Sequence, residues 1–221
     1  CLDTALLSIL LKDRSSGKNI IWATDIYASK GASYDSLEPI TVKLITGRFG
    51  KIIRPRTDKS QKEQKIRIKD KAEVFTPSWI CNEMNNHLCD EWFENKDIFN
   101  TVKDKTWIVN NNKIFFTNEN DKTWQDFVKL KVLEISCGEA PFLASRYDTT
   151  TGEWIDVNSR IGALDRKLRV INENCNSEQD WYLWTLVAFK STFGYEWQGD
   201  SLLIARENLL FTFIDYYIAK W

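Results

Sequence analysis

The chain is poor in residues that break or staple a polypeptide. Of its 221 residues four are proline, none adjacent to another, and nine are glycine. It has one histidine, His87. Its five cysteines, Cys1, Cys81, Cys89, Cys137 and Cys175, are odd in number, irregular in spacing and without a Cys-x-x-Cys pair. That pattern argues against a disulfide framework and for a reducing, cytoplasmic setting. Cys81, His87 and Cys89 lie close together, but a zinc site needs a fourth ligand that the sequence does not offer, so they read as residues of an ordinary helix. There is no signal peptide and no apolar run long enough to span a bilayer, so no membrane partner is expected. Internal repeats and low-complexity tracts are also missing. The net charge of −1 names no partner. The chain opens on Cys1 rather than Met, so its ends are not read as natural boundaries.

What is present is core-forming material: 43% hydrophobic residues, 13% aromatics and ten tryptophans. This suits one large domain, or one domain with an appendage. Patterning predicts a helix over Thr4–Lys12, β-type runs at Asn19–Thr24 and Ile40–Ile45, and a basic stretch, Arg48–Lys71, in which Asp58 caps a helix. A stiff loop, 72–77, leads to a helix over Trp79–Phe93 with Ser78 as its cap. Residues 96–122 read as an insertion, with a hairpin pairing Trp107–Val109 with Lys113–Thr117. A short helix, Thr123–Lys129, precedes an apolar strand, Val132–Ile135. A polar hairpin is expected around Thr151-Gly152, then helices at Arg160–Glu173 and Glu178–Thr192. A strand, Phe193–Trp197, and a long helix, Ser201–Lys220, follow. Strand, turn, helix, strand and helix in this order make an α/β, doubly wound pattern.

Three segments carry chemistry. In the first, Val132–Ile135 runs into Ser136-Cys137-Gly138-Glu139-Ala140-Pro141-Phe142-Leu143. Gly138 would let backbone approach a ligand, and a helix starting near Pro141 would offer free N–H groups. Glu134 could accept a hydrogen bond from an ammonium group. Alone, the segment is equally an ordinary tight strand-to-helix turn. In the second, Gly194-Tyr195-Glu196-Trp197 precedes a helix containing Ala205-Arg206-Glu207-Asn208-Leu209-Leu210. A carboxylate at a strand end, here Glu196, is a usual partner of ribose hydroxyls. Trp197 could stack on an adenine. Singly, they fit a solvated strand end and a core aromatic. The third is Glu73-Val74-Phe75-Thr76-Pro77, a loop fixed before a helix, which alone is a helix N-terminus.

Together, and in this order, the segments resemble the adenine-specific DNA methyltransferases of restriction-modification systems. The stretches KDKAEVFTPSW, LEISCGEAPFLASRYDTTTGE and GYEWQGDSLLIARENLL further resemble restriction endonuclease modification subunits. The resemblance covers about residues 70–215. It implies a partial Rossmann-like, S-adenosylmethionine-dependent methyltransferase domain over 72–221, with insertions at about 96–122 and 144–192, behind an N-terminal α+β extension, 1–71. It implies that Phe75, Thr76 and Pro77 flank the methionine part of S-adenosylmethionine. Glu134, Ser136, Cys137, Gly138 and Phe142 would line the amino-acid and sulfonium region, with Glu196 on the ribose and Trp197 near the adenine. The full protein's partners would be double-stranded DNA and a nuclease or specificity subunit.

Three departures qualify the resemblance. Glu139 and Ala140 stand where the family has small residues, and Glu139 could crowd a cofactor carboxylate. About 50 residues separate Phe142 from Glu196, more than a plain βα unit needs. The catalytic Asn/Asp-Pro-Pro-Tyr/Phe motif is absent. Methylating an exocyclic amine needs groups that bind the amine and an aromatic for the flipped base, so no methyl transfer by this chain alone is expected. Arg48, Lys51, Arg54, Arg56, Lys59, Lys62, Lys65 and Arg67 could follow DNA phosphates, or form a solvated basic face. A non-catalytic DNA- or partner-binding module, and a truncated remnant with an open sheet edge, stand as the alternatives.

Overall fold

In a computed structural model, residues 3–116 and 122–221 are described. The architecture is mixed α/β. Among the described residues there are eight α-helices and four strands, the strands forming two separate pairs. In order they are α1 (Thr4–Leu10), α2 (Val42–Ile45), α3 (Gln61–Lys71), α4 (Ser78–Phe93), β1 (Asn100–Lys103), β2 (Thr106–Val109), α5 (Trp124–Lys129), β3 (Val132–Ile135), α6 (Ala163–Asn174), α7 (Glu178–Lys190), β4 (Thr192–Tyr195) and α8 (Gly199–Lys220). No helix is long and apolar enough to cross a membrane among these residues.

The centre is the parallel pair β3–β4, in which Leu133 faces Phe193 and Ile135 faces Tyr195 across the register. Helices α6 and α7 connect the two strands, as parallel pairing requires. They pack with α5 and α8 around buried Leu164, Leu168, Ile171 and Trp181. The buried Lys167 ammonium lies where both strands begin, donating to Ser191 Oγ at 2.8 Å and to the carbonyls of Leu130 and Ser191. Burial pulls its pKa down to about 7. Leu133, Ile135, Phe193 and Tyr195 are exposed.

The N-terminal extension is built differently from its sequence pattern. Residues 19–24 and 40–45 do not form strands. Extended backbone near Ile21 makes an isolated bridge to Pro39, and 42–45 is the helix α2. With no further strand beside them, β-branched residues have no ladder to join. Trp22, Tyr27, Tyr34 and Ile40 instead form a core that includes Leu203 of α8. Gly199 allows that docking: a Cβ there would lie 2.0 Å from the Ile21 carbonyl oxygen.

Local chemistry explains other differences. Helix α3 is capped by Ser60 and Glu63 in a reciprocal box, not by Asp58. Strand β2 pairs with β1, on its N-terminal side, so the hairpin turn is Asp104-Lys105. Of the expected partner strand, 113–116 is not strand, and Thr117 lies outside the described residues. The polar hairpin is present as a bridge between Tyr147 and Trp154. The turn after β3 does not lead into a helix; the next one begins at Ala163.

Ser78 does not cap α4 with its hydroxyl, which is buried without a partner among the described residues. The Ser78 N–H donates instead to Asp148 Oδ2 at 2.7 Å, while Asp148 Oδ1 accepts the N–H groups of Thr150 and Thr151. Burial pushes the Asp148 carboxyl up, but the Thr150 hydroxyl, which donates to Oδ1, and these N–H groups outweigh it and hold the carboxyl at about 2. A carboxylate at a helix start also interacts well with the helix dipole. Asp148→Ala is therefore expected to cost ~1–3 kcal/mol in urea unfolding, whereas Ser78→Ala should cost less than ~0.5 kcal/mol. The Asp148 contribution is fully present above its unfolded pKa near 4 and is lost as pH falls through about 2. Equal costs for the two variants would refute the remote cap.

Candidate functional site

At the C-terminal ends of β3 and β4, the end of an α/β sheet where ligands usually bind, lies an open pocket of about 460 Å³. Most of its wall comes from three distant segments, Ala72–Thr76, the end of β3 with the turn after it, and Glu196–Gln198 after β4, and Ala23 and Ser201 complete it. Of the residues implicated by sequence, Phe75, Thr76, Glu134, Ser136, Cys137, Gly138, Glu196 and Trp197 line it. Pro77 and Phe142 do not. Pro77 sits at the N-cap of α4, where its carbonyl accepts the Ile80 and Cys81 N–H groups. Phe142 is buried in the core beneath the turn with Leu143 and Ile161.

The turn gets its shape from alternating backbone. Ser136, Gly138 and Ala140 all have left-handed φ, at 57°, 56° and 63°. For two non-glycine residues this is costly, and it persists because neighbours fix it. The Cys137 N–H donates to the Tyr195 carbonyl at 2.9 Å. The Gly138 N–H donates to Glu196 Oε2 at 2.8 Å, and the Gln198 N–H donates to Glu196 Oε1 at 2.9 Å. Glu196 thus latches the turn to the end of β4 and keeps lone pairs on both oxygens for further donors. Gly138 also packs closely: a Cβ there would meet Phe75 Cε1 at 3.2 Å, so the ring would have to give way slightly.

Glu134 faces the same space. Its Oε2 is buried and has no hydrogen-bond partner among the described residues. Burial, and then the Glu196 charge, push its pKa up to about 8, so at neutral pH it is largely protonated. Burial and these two carboxylates also raise the Cys137 thiol to about 12, which makes it a wall rather than a nucleophile. Trp197 is 76% exposed and presents a free aromatic face.

Glu139 does not crowd the pocket. The backbone alternation turns its side chain away, fully buried, to accept the Arg56 N–H and the Tyr147 hydroxyl, each at 2.6 Å. Nor does either expected insertion line the pocket. Residues of 144–192 brace it from behind, with Asp148 on Ser78 and the Thr149 hydroxyl donating to the Thr76 carbonyl at 3.2 Å.

Sequence reasoning gave no role to Glu73 or Ser201, which also line the pocket. Both belong to a buried network. Arg67 donates to Glu73 at 2.9 Å, to the Tyr27 hydroxyl at 3.0 Å and to Asp200, and the Ser201 hydroxyl donates to Glu73. An acidic residue two places before Phe75 was the available signal.

The basic segment is only partly a surface. Arg48, Lys51, Lys62 and Lys65 are exposed. Arg54 pairs with Glu63 at 2.9 Å, and Arg56 lies over the Phe75 ring at 5.5 Å. Lys59 and Arg67 correct the phosphate expectation: both are buried, the Lys59 ammonium 4.0 Å from Asp200 with its pKa lowered by burial, and the Arg67 guanidinium held by Glu73, Tyr27 and Asp200. No group of three or more His, Cys, Asp and Glu residues that could hold a metal occurs among the described residues, and Cys81 and Cys89 are simply buried.

Because its folded pKa is raised from the ordinary 4.5, Glu134 supports the fold fully below about pH 4.5 and stops doing so as pH rises through about 8. Glu134→Gln should leave the melting temperature unchanged at pH 4 and raise it by about 2–4 °C at pH 9, roughly 1 kcal/mol. Thermal melts across pH check this, and a pH-independent difference would refute it. In comparisons with known proteins no family model matches, and no curated protein or solved structure is significantly similar to the chain.

Proposed function

We propose that the chain is the S-adenosylmethionine-binding portion of an adenine-specific DNA methyltransferase, with β3, β4 and their helices as part of a Rossmann-like sheet. The observation that carries this reading is convergence. Segments around Phe75, Gly138 and Glu196, up to 121 positions apart in sequence, meet in one pocket at the strand ends. Its volume, about 460 Å³, lies within the range of about 300–1,000 Å³ usual for small-molecule sites.

The residues fit such a ligand group by group. The bound cofactor would supply a methyl group on a sulfonium centre. Glu134 offers a buried, unpartnered carboxyl oxygen to the ligand's ammonium, and becomes the ionised partner by releasing its proton. Glu196 offers its remaining lone pairs to the ribose hydroxyls, already oriented by two backbone N–H groups. Trp197 offers an open face to the adenine. One expected contribution is missing, because no α-helix starts at the turn after β3. The chain contributes no adjacent prolines and no base-holding constellation, so its own part is to bind and orient. DNA and a nuclease or specificity subunit belong to the reading only through the whole protein. A purely DNA-binding module is less well supported, since Lys59 and Arg67 of the basic segment are turned inward.

Calorimetric titration of S-adenosylmethionine and S-adenosylhomocysteine into the chain tests the reading. Both should bind, and Glu196→Ala should weaken binding by ~1–3 kcal/mol through lost charge-assisted hydrogen bonds. Repeating the titration at pH 7 in buffers of different ionisation enthalpy should show proton release that Glu134→Gln abolishes. Folded protein that binds neither compound would end this assignment.

A further inference from the structure

Helix α8 carries a carboxylate where its own packing calls for an apolar residue. Leu203, Glu207 and Phe211 recur at the helical spacing of four, so they share one face. Leu203 is buried in the N-terminal core, and Glu207 is half-buried beside it. No hydrogen bond or ion pair to Glu207 is formed among the described residues, and burial alone raises its pKa. The adjacent Arg206 points elsewhere, donating to the carbonyls of Leu10 and Lys12. The Asn208 amide is committed to the Glu139 carbonyl at 2.9 Å. A carboxylate partly removed from water with nothing to offset its charge is a cost to the fold.

Glu207 lies at the junction of two adjoining pockets, of about 690 Å³ and 320 Å³, which share it with Ile53 and Phe211. Leu7, Ile45 and Leu203 make the first mostly apolar. Gly47 and Gly50 line it with bare backbone, and a Cβ on Gly47 would meet nothing within 4 Å. The second is bordered by Trp154, Asp58 and Arg146. Arg146 is committed there: it pairs with Asp215 at 2.9 Å and lies 5.1 Å and 4.9 Å from the Trp154 and Phe211 rings.

We propose that this groove on α8, separate from the pocket at the strand ends, binds an organic cation: a primary ammonium or guanidinium carried on an apolar stem. The head pairs with Glu207, and the stem lies against Leu7, Ile45 and Leu203. Charge complementarity selects the occupant. A neutral apolar ligand would leave the carboxylate more deeply desolvated, and an anion would be repelled. A hard metal ion needs several oxygen ligands, and the described residues provide no such cluster. Two sources share this chemistry, a free alkylamine and a basic side chain of another polypeptide.

The experiment is calorimetric titration of the chain with n-hexylammonium chloride, with 1-hexanol, and with an acetylated, amidated Leu-Lys-Leu peptide. Hexylammonium should bind at least about tenfold more tightly than the alcohol of the same length. Glu207→Gln should erase that preference, whereas Glu196→Ala should leave it intact. A peptide about tenfold tighter than hexylammonium identifies a polypeptide side chain as the source, and a weaker one identifies a free amine. Because Glu207 has no partner to lose, Glu207→Gln should melt at the same temperature as the parent or higher. Equal binding of alcohol and ammonium, a preference that survives in Glu207→Gln, no binding of either at millimolar concentration, or a lower melting temperature for Glu207→Gln would overturn the proposal.

Discussion

The guanidinium of Arg67 is buried where three parts of the chain meet, and it cannot be left without partners there. It spans from Asp200, at the start of α8, to Glu73, at the start of the Phe75-Thr76-Pro77 loop, with Tyr27 of the N-terminal extension in the same network. Lys59 adds a second buried cation 4.0 Å from Asp200. Breaking such a buried pair by removing one member typically costs about 3–5 kcal/mol, because the survivor stays charged and unpaired. The network therefore fixes where α3, the loop and α8 lie relative to one another. The candidate pocket depends on that arrangement, since Glu73 and Ser201 are at once members of the network and part of the pocket wall.

On the opposite wall the constraint is conformational. Three left-handed residues in the turn after β3 direct backbone N–H groups toward Glu196 and Tyr195 and send the Glu139 side chain into the interior. Gly194 completes this wall. It sits in β4 where a side chain would meet Leu143 Cδ1 at 3.0 Å and Cys137 Sγ at 3.1 Å. A glycine inside a strand commonly marks such a close approach. The pocket is thus set by one electrostatic brace and one backbone brace, with residues of 144–192 supporting the loop from behind.

The second half of the chain was readable because its signals are local. Thr123 and Ser177 cap α5 and α7 with their own side chains. The apolar run of β3 and the Gly199-Asp200 start of α8 likewise depend on nearby residues. The N-terminal region was misread because β-propensity needs a neighbour: Ile20 and Ile40 pack into an aromatic core, and Ile21 makes only an isolated bridge to Pro39. The cap on α4 comes from Asp148, 70 residues away, and no local pattern contains it. Eight of the residues implicated in the site do meet in one pocket, because strand ends and the loops near them converge in a parallel sheet. Side-chain direction was not legible. Glu139 and Lys59 look from their types like surface or ligand residues, and backbone geometry and buried partners turn both inward.

The open face of the central sheet has a thermodynamic consequence. Leu133, Ile135, Phe193 and Tyr195 are hydrated already in the folded chain, so unfolding exposes less new apolar surface at these positions. The heat-capacity change of unfolding depends on newly exposed apolar area, at about 0.45 cal/K/mol per Å². The chain's stability curve is accordingly flatter, and its denaturant dependence shallower, than those of a chain of equal length with both faces of its sheet covered. Covering that face would return the missing heat capacity as a negative term in the association itself.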